Sequence, residues 1–302
     1  MIRTLLVLSG LLGATAAHAE TLLVGPGRPY ALPSAAIKVA KPGDVVRIDP
    51  GTYPDCAFVM ASNITIEGTR EETILRDRTC GQKGVFITVG DNITIRNLTL
   101  AGAISTSKNG AGIRVEGANL TIQRVRFFDN ENGILANDRE GSRIAISEST
   151  FERNGKCDPV CAHGIYVNRI AALHIENSLF RDQRVGHHIK SRAASTEIIG
   201  NTIEDGATGT ASYLIDVPNG GTVLISGNTL HKGPNSANRT IAIALGAEGG
   251  LYPTSRFRIT ANQFAYDGPG TVAFVRNFTA TPAALDTNVL AGPVTPLVGP
   301  GQ

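Results

Sequence analysis

A two-part strand motif recurs along most of this chain, and it leaves few folds open. An apolar-x-apolar unit is followed five residues later by a large apolar residue. The pairs are Ile93-Thr94-Ile95 with Leu100, Leu120-Thr121-Ile122 with Phe127, Ile144-Ala145-Ile146 with Phe151, and Leu173-His174-Ile175 with Phe180. Thr196-Glu197-Ile198 with Ile203, Val223-Leu224-Ile225 with Leu230, and Phe257-Arg258-Ile259 with Phe264 complete the series. The centres lie 27, 24, 29, 23, 27 and 34 residues apart, and Ile64-Thr65-Ile66 opens the series imperfectly, with Glu71 at the expected apolar position. A second set of short strands lies between these units, including 112–115, 133–136, 164–167, 188–191, 214–217 and 241–244. Both sets alternate with period two, no helical stripe of any length appears after residue 40, and Gly, Asn, Asp and Ser sit at the joints. A period near 25 residues without a helix implies a coil of parallel strands, one rung per turn, with rungs about 4.8 Å apart. Leu100, Phe127, Phe151, Phe180, Ile203, Leu230 and Phe264 then form one internal ladder. A leucine-rich-repeat horseshoe is disfavoured, because its fixed Leu/Asn signature is missing and the spacing varies.

The opening segment adds a more specific signal. Val24-Gly25-Pro26-Gly27, the Ala-rich stretch 35–40, Gly43-Asp44-Val45-Val46 and Pro50-Gly51-Thr52-Tyr53 follow one another. This arrangement resembles the start of the pectin-lyase-like superfamily, and the resemblance extends over nearly the whole mature chain. It implies an all-β fold, a single-stranded right-handed parallel β-helix, in which the Ala-rich stretch is a short N-terminal helix capping the first rung. The superfamily contains many uronate lyases and epimerases and some hydrolases. This chain lacks the acidic calcium-binding cluster of pectate lyases, the Asp trio of polygalacturonase-like hydrolases and the Asp-Pro-His-Asp motif of alginate epimerases. No activity therefore carries over residue by residue.

The ends divide the chain into three parts. Arg3, the apolar run Leu5–Leu12 and Ala17-His18-Ala19 read as a secretory leader over 1–19, too short to span a bilayer. Residues 20–278 hold the β-helix, and the Pro-, Ala- and Gly-rich 279–302 read as an irregular wrap or tail. A secreted or periplasmic protein without membrane insertion is expected. Four cysteines in such a chain suggest two disulfides, Cys56 with Cys80 about one repeat away, and Cys157 with Cys161 within one loop. A zinc site is discounted, and neither a metal nor a cofactor is expected. The mature chain carries 27 Lys and Arg (28 less Arg3) against 26 Asp and Glu, so no global field exists to capture nucleic acid. An anionic ligand would need a local cluster.

Such a cluster occurs in three consecutive rungs. Aligning Ile165, Ile189 and Ile215 as inward residues gives an outward column of Leu135, Tyr166, Lys190 and Asp216. The next outward column reads Asn137, Asn168, Arg192 and Pro218, and the one before it Gly133, Gly164, His188 and Leu214. Tyr166, His188, Lys190, Arg192 and Asp216 are the candidate catalytic residues, and His163, Asn168, His187 and Asn137 the candidate substrate contacts. Arg and Lys suit a carboxylate. Removal of the proton α to a uronate carboxylate needs that charge neutralised and a base nearby, for which His188 and Tyr166 are the candidates. Loss of the C4 leaving group would make a lyase, and reprotonation on the other face a C5-epimerase. The expected partner is an acidic polysaccharide. The alternatives are a non-catalytic carbohydrate-binding or envelope-associated β-helix, a glycoside hydrolase, and a merely solvated face. Asn63, Asn92 and Asn119, each in Asn-x-Thr, read better as corner residues of the repeat than as glycosylation sites.

Overall fold

The computed structural model describes residues 19–302 apart from Pro159 and Pro253, so residues 1–18 of the expected leader lie outside the described residues. The chain winds into a right-handed parallel β-helix with three strands per full rung. The apolar-x-apolar units make the first face and the large apolar residues the second. Ile93–Ala101 and Leu120–Phe128 run through the corner between them, so both faces belong to one 19-stranded sheet. The third face is a separate sheet of ten strands, from Ala57–Val59 to Val294–Val298.

The internal ladder forms in the expected register. Leu100, Phe127, Phe151, Phe180, Ile203, Leu230 and Phe264 pair in turn, and none is more than 2% exposed. The rings of Phe127, Phe151 and Phe180 stack at 4.5 and 4.6 Å. The ladder also extends to Leu75 below and Leu290 above. In the first of these rungs a 3-10 turn, Arg70–Glu72, is inserted before the second-face strand, so Leu75 takes the place that the spacing gave to position 71.

Corners are built from asparagine. Asn63, Asn92 and Asn119 adopt φ of 59°, 58° and 60°, a left-handed conformation that Asn tolerates better than most residues, and their amides bond in a chain at 2.9 Å. Asn201, Asn228 and Asn262 are buried at the corner between the first two faces, where each Oδ1 accepts a main-chain N–H from the preceding rung. These bonds satisfy donors that no strand partner reaches.

The short helix Pro33–Val39 begins with Pro, whose fixed φ suits a first helical turn, and buries Ala36 and Ile37. It packs beside Ala57–Val59 at the first rung. The disulfides Cys56–Cys80 and Cys157–Cys161 are both formed. Residues 279–302 differ from the expected irregular wrap: Ala283–Asp286, Val289–Ala291 and Val294–Val298 continue all three faces. Leu290, Val294 and Leu297 pack against the core there, stacked on Phe264, Val272 and Val275 of the preceding rung.

Candidate functional site

The third face places a polar cluster on its outer wall. Ile165, Ile189 and Ile215 stack inward, fully buried, which turns Tyr166, Lys190 and Asp216 outward in direct succession after Leu135. Arg192 follows the strand Ile189–Ser191 and folds back, its Nε donating to the Tyr166 hydroxyl at 3.1 Å and its Nη1 to Asn219 Oδ1 at 2.5 Å. Lys190 Nζ lies 5.6 Å from the centre of the Tyr166 ring, and the Arg192 guanidinium carbon 5.7 Å. Tyr166, Lys190, Arg192 and Asp216 are therefore one group.

A residue from outside these rungs completes it. Glu248 accepts from Lys190 Nζ at 2.6 Å through Oε1 and from Arg192 Nη2 through Oε2. The two cations thus hold one carboxylate between them. Glu248 lies on the loop after Ile241–Leu245, in which Gly246 and Gly249 have φ of 75° and 86°. Tyr252 on the same loop donates its hydroxyl to the Arg192 carbonyl at 2.7 Å. Asp216 Oδ2 lies 3.3 Å from Lys190 Nζ on the opposite side. Asp216 is 2% exposed, and its Oδ1 has no hydrogen-bond partner among the described residues. Burial pushes its carboxyl up to about 6, against the pull of Lys190.

His163 and His187 form the adjoining wall. Their rings stack at 4.8 Å, Tyr213 continues the stack at 4.7 Å, and His163 meets Tyr166 edge-on at 5.2 Å. His163 Nδ1 accepts the His187 N–H at 3.0 Å, and His187 Nδ1 accepts the Tyr213 N–H at 3.1 Å. Burial first, then neighbouring groups including Lys190, lowers His163 to about 3 and His187 to about 2. Both imidazoles are neutral near pH 7, and the Nδ1 contacts assign the proton to Nε2. His187 Nε2 points to Asp216 Oδ2 at 3.5 Å.

His188 departs from its expected outward position. It is 1% exposed, and its Nε2 lies 3.0 Å from Asp205 Oδ1 inside the coil. It occupies a bend immediately before Ile189–Ser191, so strand alternation does not reach it. The whole preceding column faces inward: a Cβ on Gly112 or Gly133 would come within 2.8 Å of Phe127 or Phe151. His188 cannot touch a ligand on the outer wall. Asn168 and Asn137 keep their places beside the cluster but bond within the protein. Asn168 Nδ2 donates to the Ala136 carbonyl at 2.8 Å, and Asn137 Oδ1 accepts from Arg114 Nη2 at 2.7 Å.

Asn219, Tyr252 and Arg114 were not among the sequence candidates, and Glu248 stood there only as a distant carboxylate that a hydrolase could pair with Asp216. Arg114 carried a readable signal, because it precedes Leu135 in the same outward column. The other three lie in loops with no repeat to set their register. Among the described residues no group of three or more His, Cys, Asp or Glu is arranged to hold a metal ion. No described helix is long and apolar enough to cross a membrane.

A family profile described as "Right handed beta helix region" matches residues 55–203. No curated protein matches the sequence. Among solved structures, an alginate lyase from Paenibacillus sp. str. FPU-7 superposes with a TM-score of 0.70 at 18% identity, covering 91% of this chain and 99% of that one. ORF18 of Geobacillus virus E2 superposes with a TM-score of 0.53 at 15% identity, covering 88% of this chain and 56% of its own. A pectin methylesterase from carrot reaches a TM-score of 0.49 at 12% identity, with coverages of 95% and 90%. The matched profile, the strand topology and the superposition on the alginate lyase all show one fold, a right-handed parallel β-helix, which is the fold that the sequence resemblance implied.

Proposed function

We propose that this protein is an exported enzyme acting on a uronate-containing polysaccharide, by β-elimination or by C5 epimerisation, on the outer wall of the third face. A carbohydrate-active role suits a fold shared with an alginate lyase. Two disulfides suit an extracellular or periplasmic setting. The observation that carries the proposal is the seating of Glu248. Lys190 and Arg192 together grip a carboxylate, and Arg192 at the same time hydrogen-bonds the Tyr166 hydroxyl.

A uronate carboxylate that takes the place of Glu248 would meet the same two cations. They would neutralise the charge that grows on it as the C5 proton leaves. Tyr166, as the phenolate, is the base in this scheme, since His188 is sealed inside the coil, and Arg192 Nε is placed to hold the phenolate oxygen until it takes up the C5 proton. The electron pair from the broken C5–H bond forms the C4–C5 double bond, and Lys190 returns a proton to the departing C4 oxygen. In the epimerase variant the C4–O bond survives and a proton returns to C5 from the other face. Asp216 acts by orienting the ammonium, as its burial keeps it from the leaving oxygen. A hydrolase is the weaker reading. It needs open space for a sugar between two carboxylates, and the gap between Asp216 and Glu248 is filled by Lys190 Nζ.

The test is incubation with a panel of acidic polysaccharides, following ultraviolet absorbance for an unsaturated uronate and NMR for epimerised product. Turnover is expected with at least one polymer. The double variant Lys190→Ala/Arg192→Ala should lose it by about a hundredfold or more while remaining folded, because both side chains lie outside the core. Equal turnover by this variant would reduce the wall to a binding or solvated face.

A further inference from the structure

The outward column that carries Tyr166 and Lys190 continues toward the N-terminal end through Leu135 to Arg114. There it enters a cavity of about 190 Å³. Leu135, Tyr166 and Asn168 form part of its floor, Arg114 lies at its far end, and Lys108 and Val160 stand on the rims. Tyr166 and Asn168 thus belong both to this cavity and to the cluster described above.

The walls are two long loops, each fixed from below. One is the segment 103–110. Buried Glu131 accepts the Gly110 N–H at 2.6 Å and the Ser105 N–H at 3.2 Å. The other loop contains the Cys157–Cys161 bridge. The cavity is accordingly preformed.

Of the two cations that line it, Lys108 is already paired with Asp158 at 2.8 Å, and Arg114 is the one short of partners. Arg114 makes a single hydrogen bond among the described residues, Nη2 to Asn137 Oδ1 at 2.7 Å. Its Nε is buried without a partner, and the nearest carboxylate oxygen, on Glu116, lies 4.0 Å away. That oxygen is already engaged by Lys83 Nζ at 2.6 Å. A guanidinium so placed has donor capacity left for a ligand, and a carboxylate matches it in charge and in fork geometry. The other side of the reaction cluster is occupied by the loop bearing Glu248, so the cavity is the direction in which a chain can extend.

We infer that the cavity floored by Arg114, Leu135 and Tyr166 is a second anion subsite of the same cleft, which receives the carboxylate of a uronate a few sugars removed from the one at Lys190 and Arg192. A polymer would then lie along the solenoid axis. Tyr166 and Arg114 are two rungs apart, about 10 Å on strand spacing, and Leu135 between them offers an apolar saddle for a sugar ring. The inference rests on the uronate reading given above.

The experiment measures calorimetric affinity of the intact mature protein for alginate oligosaccharides from dimer to hexamer, together with turnover. Arg114→Gln should weaken hexamer binding by about tenfold or more, as expected for loss of a charge-assisted contact, and leave the dimer unchanged. Arg114→Lys should recover part of the loss, which a merely misfolded variant would not. Lys108→Ala, on the exposed rim, gives an independent arm and should weaken the hexamer by a smaller factor. The subsite is refuted if dimer and hexamer lose affinity equally, if the hexamer is unaffected, or if the parent binds none of the series. A length-dependent Arg114 effect without any turnover would keep the subsite and overturn the catalytic proposal.

Discussion

Beneath the candidate site, neighbouring side chains make opposite demands on protons. His163 and His187 are held neutral, with values of about 3 and about 2 against an ordinary 6.5. Their lowered values stabilise the fold above pH 6.5, and that contribution is lost as pH falls from 6.5 toward 3. Asp216 behaves in reverse. Its value of about 6, raised from 3.8, gives stability that is complete below 3.8 and lost as pH rises through 6. Near pH 5 the unfolded chain therefore binds two protons at the histidines, and the folded chain one at Asp216. The net difference of one proton makes these three groups contribute a slope of about 1.4 kcal/mol per pH unit, with stability rising with pH. Asp216→Asn removes the opposing term, so the slope between pH 4.5 and 6 should steepen by about 1.4 kcal/mol per unit. Urea unfolding midpoints across that window measure it, and an unchanged slope would mean that Asp216 is ionised in the folded protein. The geometry of this group was only partly legible in the sequence. Tyr166, Lys190 and Asp216 could be placed because each is the centre of a three-residue strand, where alternation is strict. His188 is one position outside such a strand, and the bend there reverses its side chain.

Elements that repeat could be read, and elements that do not repeat could not. The first two faces, the phenylalanine ladder and the corner asparagines follow from a period that each rung must match. The inserted turn Arg70–Glu72 broke that match and moved the ladder position to Leu75. The loop bearing Glu248 is a larger instance, since nothing in the repeat says where a glycine-rich excursion will return. It returns onto Lys190 and Arg192, with Tyr252 pinning it to the Arg192 carbonyl. On the proposed function, Glu248 competes with the substrate for both cations, so its loss should favour binding. Glu248→Gln keeps the size of the side chain and removes its charge. It should lower KM for an acidic polymer by about fivefold to tenfold, in line with the loss of a partly exposed charge-assisted bond at each cation. Steady-state kinetics on a polymer that the panel of acidic polysaccharides shows to be turned over would check this. A raised KM would instead make Glu248 a positioning residue that holds the cations for substrate.

At the scale of the molecule, the β-helix is a one-dimensional stack in which each rung touches only its neighbours. Stability is then a sum over rungs and the contacts between them, and it need not be shared evenly. The centre of the stack is the stretch where Phe127, Phe151 and Phe180 lie ring on ring, each no more than 2% exposed. Phe151 has an aromatic neighbour above and below, so Phe151→Ala leaves a void that neither adjacent rung can close without leaving its own strand register. The cost should be about 3–5 kcal/mol, at the level seen for large-to-small changes in rigid cores. Where that cost appears distinguishes a stack from an all-or-none globule. Amides in the rungs around Phe127, Phe151 and Phe180 exchange only when the centre opens, so their exchange free energies should drop by nearly the full amount. Amides of Thr21–Val24 and Val294–Val298 lie in end rungs, where local fraying opens them without any change at the centre. Their exchange should be almost unaffected. The disulfide Cys56–Cys80 ties the early rungs together and so keeps the N-terminal end closed independently of Phe151. Native-state hydrogen exchange resolved by segment gives the comparison directly. A uniform drop from the first rung to the last would show that the coil opens as one cooperative unit, and coupling between rungs would then have to be stronger than nearest-neighbour contact alone provides.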